Sequence, residues 1–205
     1  MLTTTQAVDS AFIFIMAFCL LLFALIIFFT IYFAVRYRRS RNPRATEIEH
    51  TFGVELAFIA ASTVLVIVMF FYGLTGFKFM HAPPPGSLQV QVVARQWNWL
   101  FTYDNGYQDS EMVVPLGSNV ELTMTSPDVI HGFFVPAYRI KQDIVPGMKM
   151  HLWFNAEKLG TFDILCTQYC GREHSHMLSH VWVVAPDVYT KYINGETVDI
   201  PGLTS

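Results

Sequence analysis

Two long apolar segments in the first third of the chain constrain its fold more than any other feature. Residues 11–35 contain no charged residue and a single Thr, and a helix of this length extends about 37 Å at roughly 1.5 Å per residue. Residues 56–74, inside a longer apolar segment at 52–77, also lack charge. Because about 20 apolar residues cross a lipid bilayer, residues 1–80 are predicted to form a transmembrane helical hairpin that begins with a short polar tail at 1–10.

The segment between the two apolar runs is rich in arginine. The positive-inside rule places such a loop in the cytoplasm or its equivalent compartment, so both termini are expected on the outer face. No Lys or Arg precedes the first run, which is longer than the apolar core of a signal peptide, and no organellar presequence is recognisable. We therefore predict an integral protein of a bacterial inner membrane. The loop arginines are Arg36, Arg38, Arg39, Arg41 and Arg44.

Beyond a stiff, proline-rich linker at residues 81–86, the pattern changes to that of a β-domain. Apolar and polar residues alternate with period two, which is the signature of half-buried strands, and Gly and Pro punctuate the runs. Residues 87–205 are therefore predicted to form an exported all-β sandwich or barrel, with a short helix near 186–192. Strands are predicted at 88–93, 119–125, 148–154, 161–165 and 178–184.

The exported part of the chain is mildly acidic. Residues 86–205 contain 12 acidic residues and 7 Lys or Arg, a formal net charge of −5. This balance argues against binding to nucleic acid and is compatible with a basic protein partner, although a mildly acidic surface also simply keeps a domain soluble.

Four soft or borderline metal donors lie within twelve residues of the exported part. They are two thiols, an imidazole and a thioether, from Cys166, Cys170, His174 and Met177. This mixture favours copper over a hard cation. The flanking residues have strand patterns, so the motif is predicted to be one loop joining two strands. His131, on a second loop just after the strand at 119–125, is the expected source of a further imidazole.

These residue types are compatible with several kinds of site. A disulfide between Cys166 and Cys170 would leave His174 and Met177 unexplained. Two Cys and two His could make a tetrahedral structural zinc site. A mononuclear blue-copper centre would leave one thiol spare, whereas two coppers that share both sulfurs would use every donor, including His131.

The motif resembles the dinuclear CuA site of subunit II of the haem-copper cytochrome c oxidases, whose pattern is close to C-x-E-x-C-G-x-x-H-S-x-M. The resemblance implies the layout of that family, a two-helix hairpin followed by a cupredoxin domain with a Greek-key sandwich or barrel. The matching positions are Cys166, Cys170, Gly171, His174, Ser175 and Met177, with further matches at residues 96–99, 128–131 and 135–136, and at Lys141, Asp143, Pro146 and Gly147.

The resemblance also implies a role for each matching position. Cys166 and Cys170 would bridge the two coppers, and His131 and His174 would each bind one of them. Met177 would be a weak ligand on one copper, and the backbone carbonyl of Gln168 would serve the other.

By the same resemblance, electrons would come from a c-type cytochrome, with Trp97 as their inlet. They would pass by way of His174 to a haem-bearing subunit I, which holds haem and a second copper and reduces oxygen to water while protons are pumped. This chain would be a relay within that oxidoreductase and not the oxygen-reducing site. Two alternatives remain: the CuA-bearing subunit of a nitric oxide reductase, and a zinc-stabilised structural membrane subunit.

Two further positions qualify the resemblance. Gln168 stands where the family usually has a Glu that helps to hold magnesium, and a neutral amide is a poorer ligand for a hard cation. Magnesium is therefore left out of the predicted site. The copper role of Gln168 is retained, because it uses the backbone carbonyl and not the side chain. Glu49 matches a family carboxylate at the mouth of a proton path, although a carboxylate at a helix start is also favoured by the helix dipole.

Overall fold

The computed structural model describes residues 3–44, 51–198 and 200. The chain divides into two compact units, one formed by Val8–Phe77 and the other by Met1–Ala7 together with Lys78–Ser205. Glu49 lies outside the described residues, so its predicted place at the start of the second helix is a prediction only.

Two long helices account for the apolar first third of the chain. Helix α1 runs over Thr4–Arg36 and α2 over Phe52–Met80, and both are long and apolar enough to cross a membrane. The rings of Phe14, near the start of α1, and Tyr72, near the end of α2, are 4.7 Å apart between centroids, as expected for an antiparallel pair. The prediction of two apolar helices is confirmed.

Both helices extend further than the apolar pattern predicted. Helix α1 begins at Thr4 and not near residue 11, because the Asn155 side chain accepts a hydrogen bond from the Thr4 N–H at 2.9 Å and so pairs one of the open donors of the first turn. Helix α2 continues past residue 77 to Met80, where the Trp153 indole N–H donates to the Phe79 carbonyl at 3.3 Å.

The described part of residues 87–205 contains two five-stranded sheets. The first has the order β3-β2-β1-β5-β8 and the second the order β4-β10-β9-β6-β7. The β1–β5 and β4–β10 pairs are parallel and the other neighbours are antiparallel. The strands are β1 Leu88–Arg95, β2 Asn98–Tyr103, β3 Gln108–Asp109, β4 Met112–Pro115, β5 Asn119–Thr125, β6 His131–Val135, β7 Ile140–Ile144, β8 Met150–Asn155, β9 Gly160–Cys166 and β10 Leu178–Val184.

The core of this sandwich follows from the alternation in the strands. In β5 the side chains of Val120, Leu122 and Met124 are fully buried while their neighbours are not, as a strand with one core face requires. A short helix, α3 (Pro186–Ile193), closes the described part of the domain. The sandwich predicted from the sequence is confirmed.

The second sheet carries the chemically interesting residues to one end. Strand β9 ends at Cys166, and Phe133 of β6 is its partner in the antiparallel β6–β9 pair. His131, which was expected on a loop, is instead the first residue of β6, so this ladder places it beside the end of β9. Residues 167–177 connect β9 to β10, with a 3-10 turn at His174–His176.

Candidate metal centre

Two buried thiols face each other at this end of the sandwich. The Sγ atoms of Cys166 and Cys170 are 3.8 Å apart, and the residues are 8% and 2% exposed. This separation is far above the ~2.05 Å of a disulfide bond, and both thiols are free. Because metal–thiolate bonds are about 2.3 Å long, a metal ion could contact both sulfurs at once.

One imidazole lies beside each thiol. The His131 Nδ1 atom is 3.9 Å from Cys166 Sγ, and the His174 Nδ1 atom is 3.5 Å from Cys170 Sγ. Ligand atoms of His131, Cys166 and Cys170 all lie within 4.8 Å of one another. The pairing of one nitrogen with each sulfur gives the cluster an approximate symmetry.

A weak donor also lies beside each thiol. The Met177 Sδ atom, which is fully buried, is 3.8 Å from Cys170 Sγ. The Gln168 backbone carbonyl accepts a hydrogen bond from the Cys166 thiol at 3.3 Å. The turn at His174–His176 brings His174 and Met177 to the same sulfur, because the Met177 N–H donates to the His174 carbonyl at 3.3 Å.

Asp128 fixes the orientation of the His131 ring. Its Oδ1 atom is 2.9 Å from His131 Nε2, and its Oδ2 atom accepts the Gln96 backbone N–H at 2.7 Å. Burial alone would raise the pKa of Asp128, but the hydrogen bonds from Gln96, His131, Val129 and Ser126 outweigh it and lower the pKa to about 2. The ionised carboxylate can only accept, so Nε2 carries the proton and Nδ1 is left to bind a metal.

The Cys170 thiol is protonated at neutral pH in the metal-free chain. Burial raises the pKa of Cys170, and the adjacent Cys166 raises it further, to about 11. A thiol must lose its proton to bind a metal, so metal binding at this sulfur displaces a proton.

The turn between β1 and β2 covers the Cys170 side of the cluster. The Trp97 indole N–H donates to the Cys170 carbonyl at 3.2 Å, and the Gln96 side-chain amide donates to the same oxygen at 2.7 Å. Trp97 is 36% exposed, so one edge of its ring faces the surface while its nitrogen contacts a cluster residue. Gly171, at φ +121°, lies against both side chains, and a Cβ there would be only 3.1 Å from each.

Gly132 allows the loop from β9 to lie directly against β6. Its carbonyl accepts the Thr167 N–H at 3.0 Å. A Cβ at Gly132 would collide with Thr167 Oγ1 and lie 3.0 Å from the Gln168 backbone nitrogen. The close approach that brings the Gln168 carbonyl to Cys166 therefore needs a residue without a side chain.

The residues predicted from the sequence for the metal site all meet at one place in the described part of the chain. Trp97, the predicted electron inlet, is hydrogen-bonded to the residue that carries one of the sulfurs. Gln96, Asp128 and Asp143 were among the positions that match the family, but sequence reasoning gave them no role. In the structure they hold the ligand loops through hydrogen bonds that their local sequence did not indicate.

The fold and the site together define a class. A β-sandwich that carries Cys, His and Met donors at strand ends and on the connecting loop at one end is a cupredoxin-type domain, and here it follows two helices able to cross a membrane.

Comparisons with known proteins narrow this class. The family model described as "Cytochrome C oxidase subunit II, periplasmic domain" matches residues 105–184. The crystal structure of the periplasmic domain of subunit II of cytochrome oxidase from Bradyrhizobium japonicum is 30% identical, has a TM-score of 0.53, and is covered over 96% of its length by 56% of this chain. The chain belongs to the cytochrome c oxidase subunit II family, and is a membrane protein with an extracytoplasmic domain.

Two further relatives show how far the likeness extends. Cytochrome c oxidase subunit 2 of Thermostichus vulcanus is 40% identical over 102 residues, which are 49% of this chain and 31% of the relative. Cytochrome c oxidase subunit 2 of Cereibacter sphaeroides is 28% identical over an alignment of 213 positions. This alignment covers 83% of this chain and 70% of the relative. The chain therefore spans about a third of the first relative and more than two thirds of the second.

Proposed function

We propose that this chain is the electron-accepting subunit of a membrane haem-copper oxidase. It takes electrons from a c-type cytochrome at a dinuclear copper centre and passes them to a haem-bearing subunit I, which reduces oxygen to water. The observation that carries the proposal is the facing pair of buried thiols, each with its own imidazole and its own weak donor.

The donor chemistry fits copper better than zinc. A tetrahedral zinc site would use the two thiols and the two imidazoles and would need neither Met177 nor the Gln168 carbonyl. The Met177 thioether is nevertheless fully buried and faces Cys170, and a thioether is a ligand that favours copper. When bound, the copper pair supplies reversible one-electron chemistry.

Each residue of the metal site has a defined role in this proposal. Cys166, Cys170, His131 and His174 would hold the copper pair through their sulfur and nitrogen atoms. The Met177 thioether and the Gln168 carbonyl would be the weak ligands. Because the ligands lie at strand ends and on loops tied to the sheet, their geometry changes little, and burial keeps water from the sulfurs.

Trp97 is the proposed inlet for electrons. Its exposed edge is available to a docked cytochrome, and its N–H contacts the Cys170 carbonyl, from which a few covalent bonds lead to Sγ. The net charge of −5 on residues 86–205 suits a basic donor protein. His174 is the proposed outlet towards subunit I, and its ring lies 5.8 Å from that of the exposed Tyr169.

The proposed organisation has a membrane hairpin at residues 1–80, a linker at 81–86 and an exported cupredoxin domain at 87–205. The arginines between the helices favour the cytoplasmic side for that loop, which leaves both termini and the copper domain outside a bacterial inner membrane.

The full chain, purified in detergent and loaded with copper, tests this function. We expect two coppers per chain by metal analysis and rapid reduction by a reduced c-type cytochrome. H174A should lose copper and electron transfer, while the neighbouring H176A should retain both, because His176 is exposed and paired with Glu173 at 3.2 Å. One zinc per chain with no reducible copper would overturn the proposal, and the subunit I that co-purifies would distinguish an oxygen reductase from a nitric oxide reductase.

A further inference from the structure

We infer that Gln168 and Asp143 form an amide–carboxylate latch that holds the Gln168 carbonyl at the metal centre. The same contact leaves no place beside Asp143 for a divalent cation such as magnesium. The inference rests on the proposed function insofar as that carbonyl serves copper. The latch itself consists of described contacts between β7 and the loop after β9.

The backbone brings these two residues together across β6. Asp143 of β7 is the partner of Gly132 in the β6–β7 ladder, and Gly132 in turn accepts the Thr167 N–H at 3.0 Å. Because Gly132 has no side chain, the Gln168 side chain can extend over β6 and donate to Asp143 Oδ2 at 2.8 Å. Gln168 is thus held both through the main chain of its neighbour and through its own amide.

The chemistry of the pair fixes which way the amide faces. A carboxylate only accepts hydrogen bonds, so the NH2 group of Gln168 must point at Asp143 and its oxygen must point away. A hydrogen bond to an ionised acceptor is also stronger than one between neutral groups. The pair therefore satisfies itself without an ion.

A divalent cation does not fit this arrangement. Magnesium and other hard divalent cations require oxygen ligands. Here the NH2 group of Gln168 occupies the space beside Asp143 Oδ2. A Glu at position 168 would place two carboxylates together, and these would need a cation or a proton between them. Glutamine takes the place of both the second carboxylate and the ion, so the magnesium that the family resemblance suggests at this position does not fit the residues present.

The latch acts on the metal centre through one atom. The Gln168 carbonyl lies 3.3 Å from Cys166 Sγ, whereas the Met177 Sδ atom lies beside the other sulfur, Cys170 Sγ, at 3.8 Å. Without the contact to Asp143 the residue could rotate and withdraw this carbonyl. Asp143 is therefore a positioning residue for the proposed copper ligand.

The first test uses the copper-free full chain in detergent and needs no electron transfer. We expect Q168E to unfold at a lower temperature than the unchanged protein in EDTA, and Mn²⁺ to restore it. The double variant Q168E with D143N exchanges donor and acceptor, so it should regain the stability and lose the response to Mn²⁺. Equal stability of Q168E and the unchanged chain in EDTA would overturn the latch, and so would an equal response of both to Mn²⁺. If Q168E fails to fold in EDTA, recovery of folded protein in the double variant sustains the inference, and failure to recover overturns it.

The second test measures copper affinity by competition with a chelator. D143A should weaken copper binding by about tenfold to a hundredfold, the usual effect of losing a group that orients a ligand. D143N, which keeps a neutral acceptor, should stay close to the unchanged protein, as should K141A, which alters an exposed residue on the same strand. If D143A binds copper as tightly as K141A, the positioning role is wrong. A chain that holds zinc would refute the proposed function while leaving the first test of the latch intact.

Discussion

Replacing Gly132 with Ala should separate the loop after β9 from β6. An ideal Cβ at this position collides with Thr167 Oγ1 and lies 3.0 Å from the Gln168 nitrogen and 3.2 Å from the Thr167 carbonyl carbon. Two of these contacts are with backbone, so they cannot be relieved by a side-chain rotation. Overpacking of this kind costs about 1–3 kcal/mol, and each kcal/mol lowers the unfolding temperature of a chain of this size by about 2–4 °C.

A second substitution makes this prediction specific. The Thr167 hydroxyl is buried and has no hydrogen-bond partner among the residues that the structure describes, so T167A removes the group that meets the new Cβ without breaking a described hydrogen bond. We expect G132A and T167A together to be more stable than the sum of the two single effects, with a coupling of about 0.5 kcal/mol or more.

The assay is thermal unfolding of the metal-free full chain in detergent, followed by tryptophan fluorescence, for the unchanged chain, both single variants and the double variant. Copper content after loading gives a second reading, because the displaced segment carries the Gln168 carbonyl. Strict additivity of the two substitutions, or a G132A variant with unchanged stability and full copper content, would refute the claim that Gly132 is required for the close approach.

Three further predictions follow from the same geometry. M177L should retain copper but show an altered reduction potential and slower electron transfer, measured by redox titration and stopped-flow absorbance; complete loss of copper would show that Met177 is a main ligand and not a weak one. W97F should slow reduction by cytochrome about tenfold or more while leaving copper content unchanged. The control W182F changes a buried indole that donates to Glu111 elsewhere in the domain, and it should not slow reduction. Equal rates in both variants would show that Trp97 is not the inlet. Copper affinity should increase between about pH 6 and 9, by roughly tenfold per pH unit for each proton displaced, because the pKa of Cys170 is raised to about 11 and the metal must displace its proton. Chelator competition at several pH values measures this affinity, and a flat profile would contradict the prediction.

The sequence was most informative where a single periodic or compositional signal decides the structure. Residues 11–35 were typical of a membrane helix, and alternation marked β1, β5 and β8. Strands β9 and β10 were predicted on either side of the metal-ligand motif. The donors of the candidate site were also visible, because two thiols, an imidazole and a thioether at that spacing are typical of a metal site. These predictions needed only local information.

The remaining elements depended on contacts between distant parts of the chain. Strand β6 is short and has buried residues at consecutive positions, so it shows no period of two, and β3 has two residues only. The early start of α1 depends on Asn155, which is far away in sequence.

The supporting contacts of the site were hidden for the same reason. Gln96 reaches the Cys170 carbonyl from the β1–β2 turn, and Asp143 reaches Gln168 from β7. Each is an ordinary polar residue in its own segment, and only the folded sheets reveal what it contacts. The same holds for Gly132. Its position excludes a side chain only because the loop after β9 crosses it in the folded protein.

The central claim is that two metals share the facing sulfurs of Cys166 and Cys170. Electron paramagnetic resonance of the oxidised, copper-loaded full chain tests it most directly, with copper and zinc quantified in the same sample. We expect two coppers per chain and a hyperfine pattern from one unpaired electron shared equally by two copper nuclei. A pattern from a single copper nucleus, or a chain that holds zinc and gives no signal, would contradict the account.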